Sequence, residues 1–302
     1  MDVTMNIHHK KDTQFMHISP IPYMEVLVGN RTHHLALAHL IEGNQDDPTV
    51  QQYIKFFRDL DPSNKCVIMD NSAFEMHQQG RPMMDHAILY NLAKKIDADY
   101  IVMPDYPGEL GLKTMKAAER FIEAMRQHSG DDPYCPGLFF VPQGEPGNID
   151  DLVNCAMWGA RNHDIDYIGL SILACPYAVV GDTYGDRHDI MVSRLRVLTE
   201  LEKAGFFHIC EENDVYIHLL GMLDGPIEID LYRRWLKRID TWDSSSAIWH
   251  GLNGIEYDDT ATGLKDGKLQ LHVDFDHKSG TIHDMVKCVR NMEHMDRRIR
   301  GV

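Results

Sequence analysis

Six short apolar runs of this chain each end in a polar residue or a glycine. They are rich in valine, isoleucine and aromatic residues, which is typical of buried β-strands closed by turns. The runs cover 65–70, 99–105, 137–143, 166–171, 215–221 and 239–243. If these strands are parallel, their carboxyl ends share one face. The pattern therefore predicts a pocket that collects side chains from more than half of the chain.

Segments with helical periodicity lie between these runs. The clearest is 109–128, where apolar residues recur at three- and four-residue steps. Further helices are predicted at about 82–96, 149–161, 189–204, 227–238 and 281–298. An opening strand at 23–29 brings the count to seven strands before Ser244, and a short strand is predicted at 268–275.

This alternation of strand and helix predicts a parallel α/β fold, which we interpret as a (β/α)8 TIM-type barrel. A doubly wound sheet alternates in the same way, but it usually carries a glycine-rich phosphate turn after its first strand. The turn at 29–34 has neither GxGxxG nor GxxxxGK[ST]. We expect one domain over 1–302, with a barrel core at 20–250 and a C-terminal extension at 251–302 that completes the barrel or forms an appendage.

Length and composition narrow the classes of protein to which this chain can belong. With 302 residues and 43% hydrophobic content, the chain can bury a large core. No apolar stretch is long enough to span a bilayer, and no signal peptide is visible at the N-terminus, so we expect a cytoplasmic protein without a membrane partner. The six cysteines are far apart and form no CxxC pair, which indicates reduced thiols.

The formal net charge of −16 counts against non-specific affinity for nucleic acid, which comes from lysine and arginine. A nucleic-acid enzyme of this charge has to concentrate its basic residues locally. Four segments are candidates, at 194–196, 233–238, 265–268 and 296–302. Ordinary solvated helix faces and tails explain each segment equally well.

Three strand-end aspartates, Asp70, Asp105 and Asp243, supply the minimum set for glycosidic chemistry. One carboxylate attacks an anomeric carbon, one handles the proton of the leaving group, and one reads the leaving group. An aspartate after a strand is also a common helix N-cap or turn former. The residues alone leave both interpretations open.

Local words around these aspartates resemble the motifs of the tRNA-guanine transglycosylases. IMDNSAFE (68–75) resembles their DSGGFQ motif, VMPDYPG (102–108) their APDE segment and VPQGEP (141–146) their VQGG. DYIGLSIL (166–173) is similar to IGGLAVG, IHLLGM (217–222) to YLMGVG, and DTWDSSSA (240–247) to DxFDCVLPTR. The words occur in the family's order, and the resemblance covers about 23–246. The resemblance implies a barrel that exchanges a guanine base.

The resemblance also implies site residues. Asp243 is the expected nucleophile, Asp70 the expected general acid and base, and Asp105 the expected acceptor for the N1 and exocyclic amine edge of a guanine-like base. The other expected base contacts are Gln143, Gly169, Leu170, Ser171 and Gly221, with Phe74 and Leu220 stacking on the base. A flipped base does need stacking surfaces and a satisfied Watson–Crick edge. Simple core packing is the alternative for the two stacking positions.

Three departures separate the chain from the tRNA enzymes. Cys288 is the only cysteine beyond Asp243, so their CxCxxC zinc motif is missing, and we expect neither structural zinc nor a cofactor. We interpret the histidines of the tail, at 272, 277, 283 and 294, as solvated. The run Ser244–Ser246 replaces CVLPTR, DNSAF replaces DSGGF, and the chain is shorter. In these features the chain resembles the DpdA-type DNA-guanine transglycosylases of phages and bacteria.

The leading expectation is therefore a DNA-guanine transglycosylase that inserts a 7-deazaguanine, such as 7-cyano-7-deazaguanine, into DNA. The same exchange on tRNA is the first alternative, because the sequence does not reveal how a ribose 2′-OH would be read. A metal-dependent barrel hydrolase is the second, suggested by 18 histidines including His33, His34 and His39 ahead of a helix-like stretch, although HExxH is absent. A non-catalytic nucleobase-binding module is a third. The resemblance is compatible with a homodimer.

Overall fold

The computed structural model describes residues 12–128, 133–181, 187–222, 225–260, 263 and 273–301. Eight parallel strands alternate with helices in a nearly closed barrel, which confirms the predicted TIM-type fold. The strands are β1 (Gln14–His17), β2 (His33–Leu37), β3 (Cys66–Asp70), β4 (Tyr100–Val102), β5 (Gly137–Phe140), β6 (Tyr167–Ser171), β7 (Tyr216–Leu220) and β8 (Thr241–Ser244). They are ordered β1-β8-β7-β6-β5-β4-β3-β2, and β1 lies beside β2 at the seam.

Helices cover the outside of the barrel. They are α1 (Met24–Leu27), α2 (Ala38–Glu42), α3 (Pro48–Arg58), α4 (Ala73–Gln78), α5 (His86–Ile96), α6 (Gly111–His128), α7 (Ile149–Ala160), α8 (Ala174–Val180), α9 (Arg187–Lys203), α10 (Phe206–Glu212), α11 (Pro226–Leu231), α12 (Ser246–Leu252) and α13 (Ile282–Arg300). Two 3-10 helices cover Ile21–Tyr23 and Arg233–Arg238. The main apolar core lies between the strands and these helices.

The interior of the barrel is filled by alternate side chains of the strands. The inner cluster consists of Met16, Leu35, Leu37, Ile68, Val102, Phe139, Val141 and Tyr167. The rings of Phe139 and Tyr167 stack with their centroids 5.4 Å apart. Because the middle of the barrel is packed, a site can form only at its two ends, and in this fold catalytic groups come from the carboxyl ends of the strands.

The predicted opening strand at 23–29 is wrong, because this segment ends a 3-10 helix and continues as α1. Met24 and Val28 are buried at helical spacing, while Val26 is 73% exposed. Apart from Glu25 the run is apolar, and a short apolar run does not distinguish a strand from a buried helix. The first two strands are β1 and β2, which the sequence did not predict. His33 and His34 lie buried in β2 directly ahead of α2, as expected for residues that precede a helix-like stretch, whereas His39 lies within α2.

The described part of the tail after β8 forms helices and adds no strand to the barrel wall. Most of the strand predicted at 268–275 lies outside the described residues, and 273–275 is not a strand. The predicted terminal helix is confirmed as α13, which begins with a capping box between Thr281 and Asp284. Among the described residues, no helix is both long and apolar enough to cross a bilayer.

Candidate active site

Asp70 and Asp243 lie at the carboxyl ends of β3 and β8, at the same mouth of the barrel. Asp70 follows the inward-facing Ile68 by two residues, so its side chain points inward as well. Asp243 pairs with the inward-facing Met16 of β1. Both carboxylates therefore lie above the packed interior.

Asp243 is held on one of its two oxygens. The backbone N–H of Gly221 donates to Asp243 Oδ1 at 2.9 Å, and His218 Nε2 lies 2.9 Å from the same atom. Because a carboxylate only accepts hydrogen bonds, Nε2 carries the imidazole proton, and His218 Nδ1 accepts from the Thr241 hydroxyl at 2.7 Å. Both bonds end on Oδ1, so among the described residues Oδ2 is the oxygen left for chemistry. The sequence did not predict His218.

Gly221 reaches Asp243 because of an unusual backbone conformation. Its φ of +74° lies in the left-handed region, which glycine adopts without a steric penalty. A Cβ at this position would lie 2.9 Å from Ile172 Cγ2. The residue predicted as a base contact therefore has a second use, which is to direct its own N–H at the carboxylate.

Asp70 has few partners among the described residues and is half-buried. The N–H of Ser72 donates to Asp70 Oδ1 at 2.6 Å. Burial raises the pKa of Asp70 well above its usual range, and the charges of Glu75, Asp243 and Asp105 raise that pKa further. Asp70 consequently keeps its proton at a pH where an ordinary aspartate has lost it.

Glu75 is a fourth carboxylate of the mouth that the sequence did not predict. It lies in the first turn of α4, five residues after Asp70, and its pKa is raised by burial and then by the charge of Asp243. His39 Nδ1 lies 4.0 Å from Glu75 and 2.9 Å from the hydroxyl of Ser72. Burial lowers the pKa of His39 to about 4, so this imidazole is neutral at neutral pH.

Asp105 lies in a buried amide cluster. Asn71 Nδ2 donates to one carboxylate oxygen at 2.7 Å, and Gln143 Nε2 donates to the other at 2.5 Å. Burial raises the pKa of Asp105 to about 6, although both amide hydrogen bonds act to lower it. Gln143 Oε1 is buried and has no hydrogen-bond partner among the described residues. Asn71, which the sequence did not predict, also donates to the carbonyl of Met103 at 2.7 Å.

Gly169, Leu170 and Ser171 lie on β6, between the Asp243 side of the mouth and the Asp70 and Asp105 side. Gly169 and Leu170 serve close packing, and the side chain of Ser171 stabilises a turn. A Cβ on Gly169 would lie 2.3 Å from the ring of Phe139. Leu170 packs in the outer core, and the Ser171 hydroxyl accepts from the N–H of Leu173 at 3.1 Å. A contact of this segment with a base stays a prediction about its backbone.

Three apolar side chains border the mouth. Phe74 on α4 is 37% exposed, and Leu220 at the end of β7 packs against the inner cluster. Phe275, which the sequence did not predict, packs against the same cluster, with its ring centroid 6.0 Å from that of His39. The N–H of Ile21 donates to the carbonyl of Phe275 at 2.9 Å and ties the C-terminal extension to the mouth.

Of the basic segments proposed from the sequence, those that the structure describes do not line this mouth. The segment 233–238 leads into the amino end of β8, and its Arg233, like Arg298 of α13, pairs with Asp230. Arg234 pairs with Glu202. Arg194 is buried, and 265–268 lies outside the described residues.

A cavity of about 250 Å³ lies at the opposite end of the barrel. It is lined by Asp12, Thr13, Gln14, Phe15, Arg31, Thr32, His33, Asp296, Ile299 and Arg300. At the seam between β1 and β2, Asp296 of α13 pairs with Arg31, which precedes β2, at 2.5 Å and lies 3.2 Å from His17 Nε2 of β1. Residues at this end of a TIM barrel usually serve stability, and we interpret the cavity as the imperfect closure of the seam.

Within the described ranges, no three histidine, cysteine or acidic side chains are grouped so that they could hold a metal ion. Of the tail histidines, His272 lies outside those ranges. His283 is exposed as expected, but the expectation is wrong for His277, which is half-buried with its ring centroid 5.4 Å from that of Trp249, and for His294, which is buried.

No protein-family model and no curated protein matches the chain. Among solved structures, it is similar to an HpcH/Hpal aldolase/citrate lyase family protein from Burkholderia cenocepacia J2315. The TM-score is 0.43 at 10% sequence identity, covering 79% of this chain and 91% of the other. This degree of similarity carries no argument about activity.

Proposed function

We propose that the protein is a base-exchanging glycosyltransferase, a DNA-guanine transglycosylase that replaces guanine by a 7-deazaguanine. The observation that carries the proposal is the placement of Asp70 and Asp243 at one mouth with opposite surroundings. Asp243 accepts two hydrogen bonds on one oxygen, and Asp70 is half-buried among other carboxylates. A nucleophile and a proton donor need this kind of difference.

The exchange takes two displacements. In the first, Asp243 Oδ2 bonds to the anomeric carbon C1′, the bond from C1′ to guanine N9 breaks, and the departing base takes the proton of Asp70. In the second, the incoming base gives its N9 proton to Asp70, N9 bonds to C1′, and the ester to Asp243 breaks. The phosphodiester strand stays intact throughout.

The amide cluster around Asp105 supports recognition of a guanine-like edge. Asp105 uses one lone pair on each oxygen for Asn71 and Gln143, so further lone pairs can accept the N1–H and amine of a flipped base. Gln143 Oε1 is buried and has no partner among the described residues, so an N–H group of the bound base would satisfy it. Phe74, Leu220 and Phe275 offer the apolar surfaces on which the base can stack.

The basic side chains near the mouth bear on which polymer is bound. Two of those that the structure describes are ion-paired, Arg81 with Glu42 at 2.6 Å and Lys113 with Glu109 at 3.0 Å. Phosphate affinity therefore has to come from other contacts or stay weak. tRNA remains the alternative substrate for the same chemistry.

The test is mass spectrometry of nucleosides from DNA and tRNA of cells that express the chain with a 7-deazaguanine supply. The expected product is a modified deoxynucleoside that is absent with Asp243→Ala. In parallel, the purified protein is incubated with free deoxyguanosine, because this nucleoside has no phosphate that an acidic mouth would repel. A modified ribonucleoside would transfer the proposal to tRNA, and no exchange on DNA, tRNA or nucleoside would refute it.

A further inference from the structure

Arg194 of α9 is a buried arginine behind the mouth, and the sequence suggested it only as part of a basic patch. Its side chain is 1% exposed. Nη1 donates to the carbonyl of Gly221 at 2.9 Å, and Nη2 donates to the carbonyl of Leu220 at 2.5 Å. Glu228 of α11, also 1% exposed, lies 3.9 Å away and compensates the buried charge.

Arg194 and Asp243 bind opposite sides of a single peptide group. The peptide between Leu220 and Gly221 presents its carbonyl to Arg194 and its N–H to Asp243 Oδ1. In a trans peptide these two groups point in opposite directions, so a donor on one side fixes the direction of the other. A cation on the carbonyl also polarises the peptide and strengthens its N–H as a donor.

The neighbours of this peptide restrict it further. Trp242 Nε1 donates to the carbonyl of Gly221 at 2.9 Å, and the N–H of Ile172 donates to that of Leu220 at 3.0 Å. These neutral donors hold the loop, but within the described part of the chain only Arg194 bridges both carbonyls. The left-handed Gly221 has many alternative conformations, so a rigid bridge at this point is what keeps its N–H aimed at Asp243.

We propose that Arg194 is a positioning residue for Asp243, which acts through the Leu220–Gly221 peptide to hold Oδ1 and leave Oδ2 aimed at the anomeric carbon. The part that concerns catalysis rests on the proposed function. The part that concerns the hydrogen bond does not, and the two are tested separately.

The hydrogen bond is tested by NMR without any activity. A leucine–glycine pair occurs twice in the chain, at 110–111 and 220–221. Labelling leucine with carbonyl 13C and glycine with 15N therefore selects two amide signals, those of Gly111 and Gly221. Gly111 is a matched internal control, because its N–H donates to Asp151 Oδ2 at 2.9 Å.

In Arg194→Met, the Gly221 amide proton should move upfield, as it should in Asp243→Asn, while the Gly111 signal stays in place. Arg196→Met, an exposed neighbour on the same helix, should move neither signal. Arg194→Lys keeps the charge but loses the bridge, so it should give an intermediate shift, and it serves as the test if the methionine variant does not fold. A Gly221 signal that is unchanged in a folded Arg194 variant would overturn the proposal.

The catalytic part is tested by the rate of the covalent adduct with an oligonucleotide. Misplacement of a reacting group by about 1 Å costs about 10²-fold, so Arg194→Met should slow adduct formation by about that factor. The Kd for free guanine should change far less. An equal loss in both would indicate a disordered loop and contradict positioning. If wild-type protein forms no adduct while the Gly221 signal still moves, the proposed function fails and the positioning of Asp243 stands.

Discussion

Asp243 at the end of β8 and Asp70 at the end of β3 share one mouth, but the two sides of that mouth are built differently. On the β8 side, a backbone N–H and an imidazole converge on one carboxylate oxygen, and Arg194 stands behind that N–H. On the β3 side, a single N–H meets a half-buried carboxyl that has Glu75 as a neighbour. The same residue type is thus prepared for two different chemical roles.

The comparison shows that the position of an aspartate along its strand determines where its carboxylate lies. The groups that surround the carboxylate determine its chemical role. Donors stabilise a carboxylate as an anion, and burial beside other acids favours the protonated form. We therefore expect substitutions among the neighbours of Asp243 and Asp70 to alter the roles of these two aspartates, as substitutions of the aspartates themselves do.

The largest expected effect is that of Asp243→Ala. It removes the atom that bonds to C1′, so it should abolish base exchange and any denaturant-resistant adduct. The check is a denaturing gel of protein incubated with labelled oligonucleotide and free base, with circular dichroism to confirm folding. An adduct that persists in Asp243→Ala but vanishes in Asp70→Ala would reverse the two roles.

Asp70→Ala should be the next most severe change. It removes proton transfer but leaves the nucleophile, so exchange should slow by ~10²–10⁴-fold. Single-turnover kinetics of guanine release give the rate. A bromo- or nitro-substituted leaving base, which departs without a proton, should recover part of the loss; no recovery would argue against an acid role.

Asp105→Asn should weaken recognition. It replaces one acceptor by a donor, which should cost roughly 1.5–3 kcal/mol of guanine affinity at neutral pH. In wild-type protein the carboxyl has a pKa of about 6, so guanine affinity should fall as the pH drops through that value. Calorimetric titration at several pH values measures both effects. Equal affinity in the two proteins would remove Asp105 from the site.

The same raised pKa also affects folding. Between the ordinary value of 3.8 and about 6, the native state binds the proton of Asp105 more tightly than the unfolded chain does. The contribution of this group to the unfolding free energy therefore falls as the pH rises across that window. Urea unfolding of wild type and Asp105→Asn across the window should give a steeper fall in wild type. The difference between the two slopes is the contribution of Asp105, because Asp70 and Glu75, whose pKa values are also raised, are common to both proteins.

Glu75→Gln should produce the smallest and most diagnostic effect. It removes a negative charge that raises the pKa of Asp70, so that pKa should fall. The alkaline limb of the exchange rate, where Asp70 loses its proton, should then move to lower pH. Glu109→Gln, an exposed carboxylate paired with Lys113, is the matched control and should leave the profile unchanged.

The prediction from sequence succeeded where local pattern is sufficient. The six apolar runs became β3 to β8, and the helix predicted at 149–161 begins at the Asn148 cap, whose side chain accepts from the N–H of Asp151. It failed at β2, because a strand that starts with two histidines does not look apolar. His34 is buried there against the rings of Phe56 and Phe57, a contact made by α3.

For the site, the sequence by itself determined which aspartates end inward-facing strands, since strand length and the alternation of side chains are local properties. It did not determine their surroundings. His218, Glu75, Asn71 and Phe275 reach the mouth from different strands, a helix and the C-terminal extension, and Arg194 turned out to be buried support and not part of a basic patch. Only the closed barrel decides these contacts, because burial, hydrogen bonding and charge depend on side chains that are distant in the chain and adjacent in space.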